Sequence, residues 1–187
     1  MPRKSPDQVL RAWRMLLEQY PDTHILLVGP RADTHDPKNR EYGEEIAELV
    51  ATSGAPDQVH FAGIVDNVCD YLRAADIFVL ASKREGTPNS VLEAMATGLP
   101  CLVAPYIGIS AAIGEAGIHY RPVSRSPESI ASALADLLRD PAAAAQLAQR
   151  GQRFVRKNAD QQESLDRYAD LYRDVAARAK ARRNHRP

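Results

Sequence analysis

Short apolar runs, separated by longer stretches of helical periodicity, narrow the fold of this chain more than any other feature. The runs His24 to Val28, Val59 to Ala62, Ile77 to Ala81 and Cys101 to Ala104 are the length of single strands. Strands that are apolar throughout, instead of alternating with polar residues, are buried on both faces, as parallel strands between helices are. Between them lie helical patterns: residues 5–20, 41–52, 67–74 and 88–97, then a weaker strand at Ile118 to Tyr120 and helices near 127–138, 142–157 and 161–180. Strand–helix alternation with short connections indicates an α/β fold, a doubly wound and mostly parallel sheet with helices on both faces. Ligands of such sheets bind beyond the carboxyl ends of the strands. The loops after Val28, Ala62, Ala81 and Ala104 are therefore the places to look for function.

Local signals support these boundaries. Ser5-Pro6-Asp7-Gln8 reads as an N-cap serine, a proline at the first helical position and a glutamine closing a capping box. The stripe Val9, Leu10, Trp13, Leu16 and Leu17 follows, and Pro21 ends the helix; Trp13 belongs to this core face. Gly54 and Gly98 are expected helix stops. The chain enters its first helix almost at once, where a sheet of this type is expected to have a further strand; either that strand lies outside this chain or the domain begins at a sheet edge.

Composition sets the outer bounds. The 187 residues suit one domain with one substantial core. Lys+Arg and Asp+Glu are both 24, so no overall field recruits nucleic acid. The apolar runs are far too short to cross a bilayer, and the first twenty residues lack a signal-peptide pattern. The expected location is the cytoplasm. From Val175 onward come Arg178, Lys180, Arg182, Arg183 and Arg186 with no acid among them. They read either as a solvated helix end or as a surface facing anionic lipid at the inner face of a membrane. Cys69 and Cys101 lack ligand spacing and are expected to be buried free thiols. The histidines at 24, 35, 60, 119 and 185 show no metal-ligand spacing, and no metal site is expected.

The chemistry concentrates in Ser82 to Pro100. Glu85 follows a buried run and so sits at a strand's carboxyl end. Thr87 is placed to cap the next helix, with Pro88 at its first position, which would leave the amides of Gly86, Thr87, Asn89 and Ser90 pointing out of the helix start. Such a start binds pyrophosphate well. Yet two carboxylates, Glu85 and Glu93, stand eight positions apart there. Acids beside a phosphate site make sense where they accept hydrogen bonds from hydroxyls of a ribose or a hexose. A ligand with a diphosphate between two polyols is a nucleotide sugar. The plainer alternative is that both acids stabilise a helix N-terminus and Glu93 faces solvent.

The Glu-x7-Glu spacing, with Gly86 after the first glutamate and Leu92-Glu93-Ala94-Met95-Ala96 around the second, resembles the donor-binding domain of family 4 glycosyltransferases of the GT-B fold. Phe61-Ala62-Gly63, the segment Tyr71 to Leu80 and Gly98-Leu99-Pro100 are similar to that family in order and spacing, across residues 4–174. The resemblance implies that Glu85 contacts the transferred sugar and Glu93 holds the ribose. It implies that Gly86, Thr87, Pro88, Asn89 and Ser90 bind the diphosphate or sugar, and that Gly63, Ile64 and Val65 hold the base through backbone groups. It makes Lys4, directly before the first helix, the cation that neutralises the leaving diphosphate; the alternative is a solvated terminal lysine. The family's partner arginine lies on a preceding strand that this chain does not contain.

Residues 1–187 are thus expected to form one Rossmann-like donor-binding domain, with 161–187 as a C-terminal helix and basic tail and the acceptor-binding N-terminal domain outside the chain. The implied function is that of a retaining, metal-independent hexosyltransferase of polysaccharide biosynthesis, using a UDP- or GDP-linked sugar and no cofactor. The chain alone is expected to be inactive. Pro105 to Ala112 departs from the family, with alanine where an acid often stands. That departure keeps open a non-catalytic nucleotide-sugar-binding or assembly module, such as half of a two-chain transferase. A nucleotide-sugar epimerase fits the segment Glu85 to Met95 less well.

Overall fold

The computed structural model describes residues 2–30, 37–108, 111–159 and 161–184. Its strands are β1 (Ile25–Val28), β2 (Val59–Gly63), β3 (Phe78–Leu80), β4 (Cys101–Val103) and β5 (Arg121–Pro122). Its helices are α1 (Pro6–Leu16), α2 (Pro37–Ala51), α3 (Val68–Arg73), α4 (Asn89–Thr97), α5 (Pro127–Arg139), α6 (Pro141–Asn158) and α7 (Gln161–Asn184). All strand pairs are parallel, and the architecture is the doubly wound α/β expected from the alternation. The expected strand at Ile118 to Tyr120 is corrected to Arg121–Pro122. Residues 117–119 form a turn in which Gly117, Ile118 and His119 donate to nearby carbonyls, and only then does the chain join the ladder.

β4 shows why continuous apolar runs mark buried strands. Leu102 points into a core shared with α1 and α5, through Ala12, Leu16, Ile130 and Leu137. Cys101 and Val103 point the other way, into a core with α4 and α6 through Val91, Met95 and Val155. Strand alternation thus sends one run of residues into two layers. A third cluster joins α1, α2, β1 and β2 through Leu10, Trp13, Ile25, Ile46 and Val59. Trp13 is 3% exposed, and its indole N–H donates to the Thr23 carbonyl and hydroxyl, which ties α1 to the start of β1.

The strands fall into two ladders, β2–β1 and β3–β4–β5. Phe78 N–H donates to the Pro100 carbonyl, and Ala104 N–H to that of Leu80, so the backbone groups of Val79 between them face away from β4. No strand among the described residues pairs with that side of β3, or with the side of β1 away from β2. Burial on both faces, expected of every apolar run, fails for β1, where Leu26 is 38% and Val28 41% exposed. A strand without a neighbour on one side loses the cover that the neighbour's side chains and helix would supply.

Two local expectations also change. Ser5 occupies the N-cap of α1, but its side chain does not cap; its backbone is left-handed, with φ 50°. Gln8 does not close a box and donates instead to Asp7 Oδ2 at 2.6 Å. Cys101 is fully buried, and burial pushes its thiol up to about 12, whereas Cys69 is exposed. The six-residue α3 buries Leu72 and turns Cys69 outward, because so short a helix has only one core-facing stripe.

Candidate functional site

The site is built where β3 ends. Ala81 and Ser82 remain buried, and the chain then loops through Lys83 to Pro88 into α4. Lys83 N–H donates to the Arg3 carbonyl at 2.9 Å, which lays the N-terminal turn against this loop. The contact brings together residues 81 positions apart: Lys4 Nζ lies 2.6 Å from Glu85 Oε1. The Glu85 side chain is 8% exposed and that of Lys4 41%. Burial alone would raise the Glu85 pKa. The hydrogen bond from Lys4, the adjoining Ser82 hydroxyl and the charges of Lys4 and Arg3 outweigh it and hold the carboxyl below its ordinary value.

The helix start beside this pair differs in detail from the sequence expectation. Thr87 is not the cap. Pro88 occupies the N-cap position, Asn89 begins α4, and no side chain caps the helix. The cause is visible in the backbone: Asn89 N–H donates to the Thr87 carbonyl, and Val91 and Leu92 N–H to that of Pro88. No acid lies in the first turn, so the helix dipole is uncompensated there. Gly86 and Thr87 are exposed, Pro88 is buried, Asn89 is exposed and Ser90 half-buried. A Cβ added at Gly86 would meet nothing within 4 Å, so the approach to the loop is open. Glu93 is exposed on the second turn of α4. Gly98 closes the helix with φ 91°, as expected of a C-terminal stop.

Gly63, Ile64 and Val65 lie elsewhere, at the carboxyl end of β2. Gly63 accepts from Gly29 N–H at 2.8 Å and has φ 73°; Ile64 is 80% exposed. No hydrogen bond or ion pair among the described residues joins this turn to the Glu85 group. The two parts follow strands of different ladders, β2 and β3.

Sequence reasoning missed the wall behind Glu85. Glu85 N–H donates to the Ile107 carbonyl and Ile107 N–H to that of Lys83, so Pro105 to Gly108 is zipped onto the loop. Arg84 pairs with Ile107, which by strand alternation puts Tyr106 and Glu85 on the opposite, shared face. Tyr106 is buried and its hydroxyl has no protein partner among the described residues. Burial, Tyr120 and the Glu85 charge raise the Tyr106 pKa. A Cβ at Gly108, where φ is +97°, would strike the Glu85 carbonyl oxygen. Arg125 Nη1 donates to the Pro105 carbonyl and lies 3.5 Å from that of Ser82, holding both loops together. The usable signal was the pair Tyr106 and Gly108 just after a buried strand.

Fold and site define a doubly wound α/β domain with an ion-paired acid at a strand end and an open helix start beside it. The chain belongs to the family described as glycosyl transferases group 1, whose pattern matches residues 1–140. It is 30% identical over 148 residues to the D-inositol 3-phosphate glycosyltransferase of Streptomyces avermitilis, covering 78% of this chain and 32% of that protein. It is 34% identical over 106 residues to the lipopolysaccharide core biosynthesis mannosyltransferase LpsB of Rhizobium meliloti, covering 57% of this chain and 29% of that one. Among solved structures, Anabaena HepE in complex with UDP-glucose superposes with a TM-score of 0.82 at 19% identity, over 93% of this chain and 46% of that one. The C-terminal domain of the group 1 glycosyl transferase LpcC from Francisella tularensis gives 0.76 at 25% identity, over 86% and 82%. The chain spans about a third of the length of the curated relatives it matches.

Proposed function

We propose that this chain is the nucleotide-sugar-binding half of a retaining, metal-independent glycosyltransferase that moves a hexosyl group from an NDP-sugar to an acceptor. The observation that carries the reading is the Lys4–Glu85 pair at 2.6 Å beside the uncapped start of α4. Lys4 and the start of α4, where the Ser90 N–H has no backbone acceptor among the described residues, offer positive charge to the diphosphate, where charge grows as the sugar–phosphate bond breaks. Glu85, nearly buried and held ionised, accepts hydrogen bonds from sugar hydroxyls. Glu93, on the outer face of α4, accepts from the ribose. The turn Gly63 to Val65 takes the base. Acceptor binding falls to a further domain, and the setting is cytoplasmic polysaccharide assembly near the inner membrane face. No helix of the described residues is long and apolar enough to cross a membrane.

The test is an NMR titration with UDP, GDP and ADP, then with their hexose conjugates. UDP and UDP-glucose come first because the HepE structures hold them. Shifts centred on residues 63–65 and 86–93 are expected. Glu93→Ala should weaken every nucleotide, whereas Glu85→Ala should spare free diphosphates and weaken the sugar conjugates. Equal losses for free UDP in both variants would contradict the assigned roles.

One observation favours a second reading, a non-catalytic assembly module. Leu165, Tyr168, Leu171, Tyr172 and Val175 form an exposed apolar stripe along α7. A chain that self-associates through this stripe and ignores the whole nucleotide panel would fit the module and not the transferase.

A further inference from the structure

We propose that a cleft on α6 binds a phosphate group, at a site separate from the Glu85 group and independent of the donor reading. α6 carries Arg150, Arg153, Arg156 and Lys157 and no acidic residue, in a chain whose charges cancel overall. Arg150, Arg153, Phe154, Lys157 and Asn158 recur at helical spacing and, with His119, line a cleft of about 380 Å³. Like charges three or four residues apart destabilise a helix. No carboxylate lines the cleft, and none of its three cations has an ion pair among the described residues. A bound anion would relieve that repulsion.

Two of the cleft's donors, His119 and Arg150, are directed by their other bonds. Glu115 N–H donates to His119 Nδ1 at 2.9 Å, so in the neutral ring Nε2 carries the proton and can only donate. The ring is held against Phe154, centroids 4.6 Å apart and tilted by 41°. It also lies over Gly114, where φ is +86° and a Cβ would come within 2.7 Å of Nδ1. Arg150 Nε donates to the Ile118 carbonyl at 2.7 Å, fixing the guanidinium while leaving its terminal nitrogens to a ligand. Asn158 Nδ2 donates to the Phe154 carbonyl at 2.9 Å. Two guanidinium groups, one ammonium and one imidazole N–H thus line one cleft. Planar guanidinium donors match the oxygens of a phosphate. A merely solvated helix face would need neither the wedged His119 nor the absence of acids.

The chain is titrated with sodium phosphate and, at matched ionic strength, with sodium chloride, while amide resonances are followed. Phosphate-specific, saturating shifts are expected at Gly114, His119 and residues 150–158. The double change Arg153→Gln/Lys157→Gln, confined to exposed side chains, should weaken binding by about tenfold or more, as loss of charge-assisted hydrogen bonds does. The control Arg173→Gln/Arg178→Gln on α7 should leave it unchanged. Identical shifts with chloride, or equal losses in both double variants, would mean an adventitious ion only and overturn the proposal. Co-sedimentation with vesicles of phosphatidylcholine alone, or mixed with phosphatidylglycerol, separates the sources. Capture by the mixed vesicles that the α6 change abolishes and the α7 change does not assigns a lipid headgroup. Phosphate shifts without vesicle capture assign a soluble phosphate. Vesicle capture weakened alike by both changes, with no phosphate shifts, would also overturn it.

Discussion

Glu85 shows how far a single residue could be read from the chain. Its place at a strand end was legible because a buried run precedes it and a glycine follows. Its partners were not legible, because Lys4 lies 81 positions away and Tyr106 on another loop. The ion pair makes a pH prediction. Glu85 is depressed below its ordinary 4.5, so it stabilises the folded state above that value, and the contribution is lost as pH falls through the lower folded value. Melting curves of the wild type and Lys4→Met should therefore converge in acid and separate above about pH 4.5; parallel curves would show that the pair contributes nothing. Gly108→Ala is expected to cost about 1–3 kcal/mol, from a left-handed backbone and a Cβ against the Glu85 carbonyl, and to move the Glu85 amide resonance. Denaturant unfolding measures the first effect and the NMR spectrum the second. The cysteines give a third check. In the folded chain a thiol reagent should label Cys69 quickly and leave Cys101 untouched until unfolding. Equal labelling would contradict the burial of β4. Sequence could not separate the two thiols, since only packing decides which face of α3 looks outward.

At the scale of elements, patterns that depend on neighbours in sequence were legible, and those that depend on neighbours in space were not. The periodicity of α1, α5 and α6 survives in the structure because each packs one stripe against the sheet or another helix. The cap of α4 was misread because a proline at the N-cap and a backbone bond to the Thr87 carbonyl replace the side-chain bond that Thr87 could have supplied. The break between the β1 and β3 ladders follows from pairing alone, which no local pattern records. It makes a prediction for hydrogen exchange. Phe78 N–H is bonded to Pro100 and should exchange slowly, whereas Val79 N–H faces the unpaired side and should exchange fast. A chain carrying a short Val/Ile-rich segment ahead of the Arg3–Lys83 contact should then protect Val79 and cover Leu26. Equal protection of Phe78 and Val79 in the present chain would mean that the edge of β3 is not open.

For the whole molecule, the question is what keeps α7 helical. Its described residues are exposed almost throughout, and its apolar side chains meet no core. The stripe Leu165, Tyr168, Leu171, Tyr172 and Val175 is interleaved with pairs such as Arg173–Asp170 at 2.7 Å and Arg178–Asp174 at 2.7 Å. Such exposed pairs contribute about 0.3–0.5 kcal/mol each, and most of a helix's stability in a protein comes from packing its apolar face. Burial of the stripe is therefore what would fix this helix, and no core among the described residues supplies it. Two outcomes follow for a chain ending at Asn158. If α7 is unpartnered, its removal should leave the unfolding free energy of the remainder within about 0.5 kcal/mol, as for other surface changes. If α7 pairs with a second copy, the intact chain should sediment as a dimer, its helicity should rise with concentration, and the shortened chain should be a monomer. Leu171→Glu then separates a specific pairing from general stickiness, since one charge in the stripe should dissolve the dimer without touching the donor site. A dimer that survives both changes would place the contact elsewhere and leave α7 to a partner that covers the same face.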